Sequence, residues 1–176
     1  PGGPHYYHFS NLRMVPAVFC GIRIFKGAEC NIINDEGKLD LPNDVIKDLD
    51  IVMATFHPRT GYEGGTEQKN TAVLLKVMDN PYVNVIAHPG NPMYPVEPKA
   101  IASKAAQKRI ALEINNSSFT GSREGSEEKC FAFAEEVKKN GGKVVINSDS
   151  HMSTMLGTFE EALKIVNKAG LTSEYI

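Results

Sequence analysis

Short apolar runs recur along the chain, and polar segments rich in glycine or proline separate them. Most runs carry apolar residues in succession instead of in strict alternation, which is typical of strands buried on both faces, as in parallel sheets. The pattern predicts five strands, at residues 21–32, 49–57, 83–91, 109–117 and 143–151.

Helical patterns lie between and after these runs, at residues 66–80, 98–108, 126–142 and 158–170. The third is expected to end at Gly141 as its C-cap. The fourth is expected to begin with a capping box formed by Thr158 and Glu161. Its predicted apolar stripe comprises Phe159, Ala162, Leu163 and Val166. The segment 59–65 is expected to be a long, mobile loop.

This alternation of strands and helices suits right-handed crossovers between parallel strands. It predicts an α/β architecture with a parallel sheet, as either an open doubly wound sheet or a barrel. No G-x-G-x-x-G segment follows a predicted strand, so nothing indicates dinucleotide binding.

Composition narrows the class of protein without changing this picture. The chain has 176 residues, 41% of them hydrophobic and 23% charged, with a net charge of −2. There is no basic excess, and hence no strong nucleic-acid signal. No apolar run reaches the roughly 18 residues of a membrane span, so no membrane partner is expected. The three cysteines are far apart and odd in number, which favours free thiols in a cytoplasmic protein.

Unusual polar residues stand at the ends of the predicted strands, where α/β folds bind ligands. They are Glu29, His57, His88, Asp149 and His151. Asp149 and His151 are two residues apart, so on an extended segment both should face one cavity. Imidazole and carboxylate form the donor set that Zn²⁺ and Mn²⁺ accept, and a carboxylate can bridge two such ions. Together these residues predict a metal site.

Each residue taken alone also has an ordinary structural explanation. A histidine at a strand end is commonly a hydrogen-bonded loop residue, and Asp149 could cap the next helix. Arg123 is either an anion clamp or a solvated loop arginine. His5 and His8 belong to an aromatic segment that forms either a lid over a substrate or a surface loop. No G-x-S-x-G elbow supports a serine hydrolase.

The ordered segments "GAECNI", "FHP", "AHPGNP", "LEINNSSF", "GSREGSEE" and "NSDSH" resemble the PHP (polymerase and histidinol phosphatase) family. The resemblance covers essentially the whole chain and is nearest to the YcdX-like bacterial phosphatase branch. It implies a distorted (β/α)7 TIM-like barrel with up to three zinc or manganese ions at the strand ends. It also implies hydrolysis of small phosphomonoesters by metal-activated water.

Carried onto matching positions, the resemblance implies that Glu29 bridges two metals and that His57 and His88 complete the second of them. Asp149 would then bind the first metal and His151 the third. Arg123, His8 and His5 would help to hold the phosphorylated substrate.

The chain also departs from the family pattern. Family members begin with strands bearing His-x-His and Thr-Asp-His, and neither motif occurs here. We therefore expect residues 1–176 to be a single PHP domain, a fragment without its first two strands and its C-terminal end. Its barrel would be incomplete, and only the site of Glu29, His57 and His88 would be whole. A non-catalytic PHP module, of the kind associated with polymerases, and another barrel hydrolase of the amidohydrolase kind are the alternatives.

Overall fold

A parallel sheet forms the centre of the molecule. The computed structural model describes residues 5–119 and 123–176. Its five strands lie in chain order: β3 (Gly27–Asn31), β4 (Ile51–Thr55), β5 (Val85–Ile86), β6 (Ala111–Asn115) and β7 (Lys143–Asn147). The longer helices are α3 (Glu67–Val77), α4 (Pro98–Lys108), α5 (Glu127–Asn140) and α6 (Glu160–Lys168). The predicted α/β class and incomplete TIM-like barrel are confirmed.

The segment before the sheet contains short elements. They are α1 (Tyr6–Asn11), β1 (Val18–Phe19) and β2 (Ile22–Arg23), and a further short helix, α2 (Asn43–Ile46), follows β3. The single strand predicted at 21–32 is therefore wrong: β2 pairs antiparallel with β1, and only β3 joins the main sheet. The other four predicted strands extended too far at their polar ends, because the chain turns there to present the site.

Of the two predicted helix ends, the C-cap of α5 is confirmed and the capping box of α6 is wrong. Gly141 follows α5 in the left-handed conformation at φ 64°, as a C-cap requires. At α6, no side chain of the predicted capping box caps the helix. The amides of Glu161 and Ala162 instead donate to Asn116 Oδ1, each over 3.0 Å. A partner far away in sequence therefore satisfies the helix start.

The two faces of the sheet differ in character, because successive residues of a strand point to opposite sides. One face is apolar and packs against the helices. Cys30, Ala54, Leu112 and Ile114 on this face are fully buried. The buried stripe of α6 includes Ile165, whereas the predicted stripe had Leu163, which is 41% exposed. The opposite face carries the polar side chains described below.

The loop at 59–65 is tied to the core. Tyr62 is buried, stacks on Phe56 with ring centroids 4.8 Å apart, and donates to Asn70 Oδ1 over 2.7 Å. These contacts argue against the predicted free mobility of this loop. Among the described residues, no helix combines the length and apolarity that crossing a membrane requires.

Candidate metal centre

Glu29, His57 and His88 meet at the carboxyl ends of three neighbouring strands. The Oε1 atom of Glu29 is 3.2 Å from Nε2 of His88 and 3.9 Å from Nε2 of His57. One ligand atom from each of the three residues lies within 4.8 Å of the other two. His88 is buried, His57 is half-buried, and Glu29 is open to the cleft, so Glu29 and His57 face a space that solvent reaches.

The spacing of these donors is compatible with a divalent cation. Two atoms bound to one zinc at ~2.1 Å can be no more than ~4.2 Å apart. Both measured distances from Glu29 satisfy this limit. One carboxylate oxygen and two imidazole nitrogens form a set that zinc and manganese both accept, so the residues present fit the group without choosing between the two metals.

Protonation in this cluster favours a cation ligand set. Burial raises the pKa of Glu29, but the hydrogen bond and charge interactions with His88 and His57 outweigh it and lower the pKa below its ordinary value. Burial lowers the pKa of His57, against the opposing effect of Glu29. At neutral pH the cluster therefore holds an ionised carboxylate beside a neutral His57, which are the forms that bind metals.

The backbone at His88 is strained and is held from below. Its φ is +30°, a conformation that residues other than glycine rarely adopt. The amide of His88 donates to Glu113 Oε2 over 2.7 Å, and Nε2 lies 3.1 Å from Thr55 Oγ1. Two residues later, a Cβ on Gly90 would lie 2.6 Å from Cys130 Sγ, so only glycine fits there. The "HPGN" turn is therefore held in place by its hydrogen bonds and by its close packing against Cys130.

Asp149 and Arg123 form the second part of the cleft. The Arg123 guanidinium pairs with Asp149, whose Oδ2 also accepts from Asn115 Nδ2 over 3.1 Å. Burial raises the pKa of Asp149, but these two hydrogen bonds outweigh it and the pKa is lowered. The carboxylate that the sequence suggested as a metal ligand is here satisfied by a cationic side chain.

His151 shares the cleft with Asp149, but not for the reason the sequence suggested. The strand ends at Asn147, and Asp149 has a φ of +53°, so the segment is not extended. The His151 side chain is 85% exposed, and its Nδ1 lies 2.9 Å from the carbonyl oxygen of Asp149. A local turn, and not strand alternation, brings both residues to one cavity.

The cleft has a volume of about 280 Å³ and most of the candidate residues line it. They are Glu29, His57, Arg123, Asp149 and His151, with Pro58, Asn91 and Met93 completing the wall. His88 lies beneath them. His8 is on α1, and His5 is the N-cap that precedes this helix and accepts from the amide of Tyr7; neither is part of the wall.

Glu113 is a site residue to which the sequence assigned no role. It is 3% exposed and accepts from the His88 amide, from Asn147 Nδ2 over 2.7 Å and from Asn115 Nδ2 over 3.3 Å. Burial raises the pKa of Glu113, against the opposing effect of Asn147 and His88. An acid inside the apolar run "IALEIN" was the available signal, since a buried carboxylate requires partners.

The fold is shared with proteins of known structure, among them the following two. Histidinol phosphate phosphatase from Lactococcus lactis subsp. lactis Il1403, complexed with zinc, L-histidinol and phosphate, superposes with a TM-score of 0.55 and 20% identity, over 74% of this chain and 61% of that one. A chain of archaeal ribonuclease P, solved with mature tRNA, gives a TM-score of 0.51 and 15% identity, over 97% of this chain and 75% of that one.

Relatives in sequence are considerably nearer. No protein-family model matches the chain. A probable phosphatase of Thermoanaerobacter sp. (strain X514) is 43% identical over 176 residues, which is 100% of this chain and 72% of that protein. Another, from Clostridium novyi (strain NT), is 42% identical over the same shares. At this identity and coverage, the chain belongs to the family of these bacterial probable phosphatases.

Proposed function

We propose that this protein is a PHP-type phosphatase of the YcdX-like branch, which hydrolyses small phosphomonoesters with the help of divalent metal ions. The observation that carries the proposal is the convergence of Glu29, His57 and His88 at one end of the sheet, with ligand atoms within 4.8 Å. The family of probable phosphatases supports the reaction class. The neighbour complexed with zinc, L-histidinol and phosphate supports the choice of a small phosphorylated substrate.

The charges in the cleft explain why a cation would be needed. Glu29 and Asp149 supply two negative charges and Arg123 one positive charge among the residues that line it. A phosphomonoester dianion would be repelled by this set. In the proposal, Glu29, His57 and His88 hold one divalent ion, and Asp149 and His151 contribute to further ones. Zinc and manganese both suit these donors.

The side chains of the protein then have separate tasks. When bound, a divalent cation supplies positive charge to phosphate oxygens and lowers the pKa of a coordinated water. Arg123 has five N–H donors and uses only part of them on Asp149, so the remaining ones can hold a phosphate oxygen. Pro58 and Met93 offer apolar surface to the organic part of the ester. His5 and His8 have no task in this scheme.

The test measures phosphate release from p-nitrophenyl phosphate by the full-length protein, with added Zn²⁺ or Mn²⁺ and with a chelator. Metal-dependent hydrolysis is expected, together with loss of bound metal and of activity in Glu29→Ala. Glu36→Ala, which removes an exposed carboxylate outside the cleft, is the matched control and should change neither. Absence of hydrolysis with either metal, combined with unchanged metal content in Glu29→Ala, would contradict the proposal and favour a non-catalytic module.

A further inference from the structure

The side-chain amide of Asn31 lies between His57 and Asp40. Its Oδ1 is 2.9 Å from Nδ1 of His57, and its Nδ2 is 2.6 Å from Oδ2 of Asp40. The other oxygen of Asp40, Oδ1, accepts from the backbone amide of Asn31 over 2.9 Å. None of these contacts involves the ring nitrogen of His57 that faces Glu29.

These contacts determine which way round the Asn31 amide sits. An ionised carboxylate offers only acceptor oxygens, so Asp40 selects the NH₂ group of Asn31 as its neighbour. The reversed amide would place two oxygens against each other. The oxygen of Asn31 therefore faces His57, on chemical grounds that do not depend on distinguishing oxygen from nitrogen.

The orientation of Asn31 in turn determines the tautomer of His57. Facing an acceptor, Nδ1 must carry the proton and donate it. Nε2 of the neutral ring then carries a lone pair, and this atom lies 3.9 Å from Glu29 Oε1. In the opposite tautomer, Nε2 would bear a hydrogen and could not bind a metal.

The same short segment builds both the ligand and its support. Glu29 and Asn31 are two residues apart on β3 and share one face of the sheet. After β3 the chain doubles back: Ile32 bridges Leu39, and the Asp40 amide donates to the Asn31 carbonyl over 2.9 Å. Asp40 is thus held against Asn31 by backbone pairing, independently of its side chain.

We propose that Asn31 and Asp40 are positioning residues that hold His57 in the Nδ1–H tautomer, so that its Nε2 lone pair points at the metal position. This inference rests on the proposed function in assigning a metal to that position. The carboxylate–amide–imidazole relay corresponds to the outer-shell partners that orient metal-binding histidines and typically change affinity by about 10- to 100-fold.

The test reads the His57 tautomer directly, by long-range ¹H–¹⁵N NMR of the metal-free protein at a pH where the ring is neutral. The wild-type protein is expected to show Nδ1–H. Asp40→Asn lets the Asn31 amide reverse, and Asn31→Leu removes the acceptor, so both should raise the Nε2–H fraction. Competition with a chromophoric chelator should show zinc binding weakened by about 10- to 100-fold in both.

Two further variants separate positioning from general damage. Exchanging the two side chains, Asn31→Asp with Asp40→Asn, restores an acceptor towards His57 and a donor between the pair, and should recover tautomer and affinity. Asp35→Asn removes an exposed charge from the same loop, where Asp35 pairs with Lys69, and should change neither.

The outcomes are distinguishable from those of the proposed function. Nε2–H in the wild-type protein, or unchanged tautomer and affinity in Asp40→Asn and Asn31→Leu, would overturn the positioning role even if the protein is a metal-dependent phosphatase. If the protein binds neither zinc nor manganese, the proposed function fails, and the metal part of this inference fails with it. The NMR measurement would still decide what Asn31 does to His57.

Discussion

The two parts of the cleft use similar residue types in opposite ways. In the first, Glu29, His57 and His88 direct the atoms that could bind a metal at one another, and the partners behind them are the neutral side chains of Thr55 and Asn31. In the second, Asp149 already has a cationic partner in Arg123 and an amide donor in Asn115. Among the described residues, the wall of the first part includes no lysine or arginine, whereas the second part contains Arg123.

This difference shows why residue type alone does not identify a metal ligand. A carboxylate at a strand end is available to a metal only if its neighbours leave its charge uncompensated. By that criterion Glu29 is available as the structure stands, while Asp149 would have to exchange part of its contact with Arg123. The first part is therefore the better-defined candidate.

Glu113 connects the two parts from below. It accepts from the His88 amide on one side and from Asn115 on the other, and Asn115 also donates to Asp149. A single buried carboxylate therefore supports the strained turn at His88 and the amide that holds Asp149.

The largest expected effect follows from removing that connection. Glu113→Leu leaves the buried N–H donors of His88 and Asn115 and the part-buried donor of Asn147 without their acceptor. The loss of each buried partner costs about 1–3 kcal/mol. We expect the free energy of unfolding, from urea denaturation, to fall by about 3 kcal/mol or more. Glu113→Gln keeps the shape and one acceptor oxygen, so it should cost less. Equal stability of Glu113→Leu and the wild-type protein would refute this role.

The next effect separates the two parts of the cleft. Arg123→Met removes a charged donor from the second part only, and a hydrogen bond to a charged group is worth about 1.5–3 kcal/mol. We expect KM for p-nitrophenyl phosphate to rise by about 10- to 150-fold, with the metal content unchanged. Arg13→Met, at an exposed arginine away from this cleft, is the control. A parallel loss of metal would show that the parts are not independent.

A smaller effect is expected on the pH dependence of zinc binding in the first part of the cleft. Burial lowers the pKa of His57 below its ordinary 6.5, so the ring stays neutral and able to bind a metal at lower pH than an ordinary histidine. Zinc affinity, measured by chelator competition across pH, should depend on His57 only below that value. There it should fall about tenfold for each pH unit, because a proton replaces the metal on the ring. A decline that His57→Ala abolishes and that begins well above pH 6.5 would contradict this.

The smallest expected effect comes from an ion pair outside the cleft. Hydrogen bonds from Lys104 and Lys108 lower the pKa of Asp79 from 3.8 to about 2. The stabilisation that ionised Asp79 gives to the folded protein is therefore complete above pH 3.8 and is lost as the pH falls through about 2. Because the group is solvent-exposed, Asp79→Asn should lower Tm at neutral pH by about 2 °C or less, and salt should remove the difference. A large decrease in Tm that salt does not remove would contradict this, because it would show that Asp79 is shielded from solvent in the way that the Arg123–Asp149 pair is.

Much of the fold was predictable because its signals are local. Successive apolar residues indicated parallel strands, and Gly141 marked the end of α5 where a left-handed residue was needed. Contacts between distant segments were not predictable in this way. Asn116 caps α6 from 45 residues away, and the strand predicted at 21–32 divides between a hairpin and the sheet.

For this protein, the sequence by itself determined the alternation of strands and helices and the ligand-type residues at the strand ends, because periodicity and residue type are written locally. Only the tertiary structure decided which of those residues meet. It paired Asp149 with Arg123, left Glu29 facing two imidazoles, and placed Glu113 under His88 across 25 residues. Strand neighbours and hydrogen-bond partners settle these outcomes, and both depend on segments that are far apart along the chain.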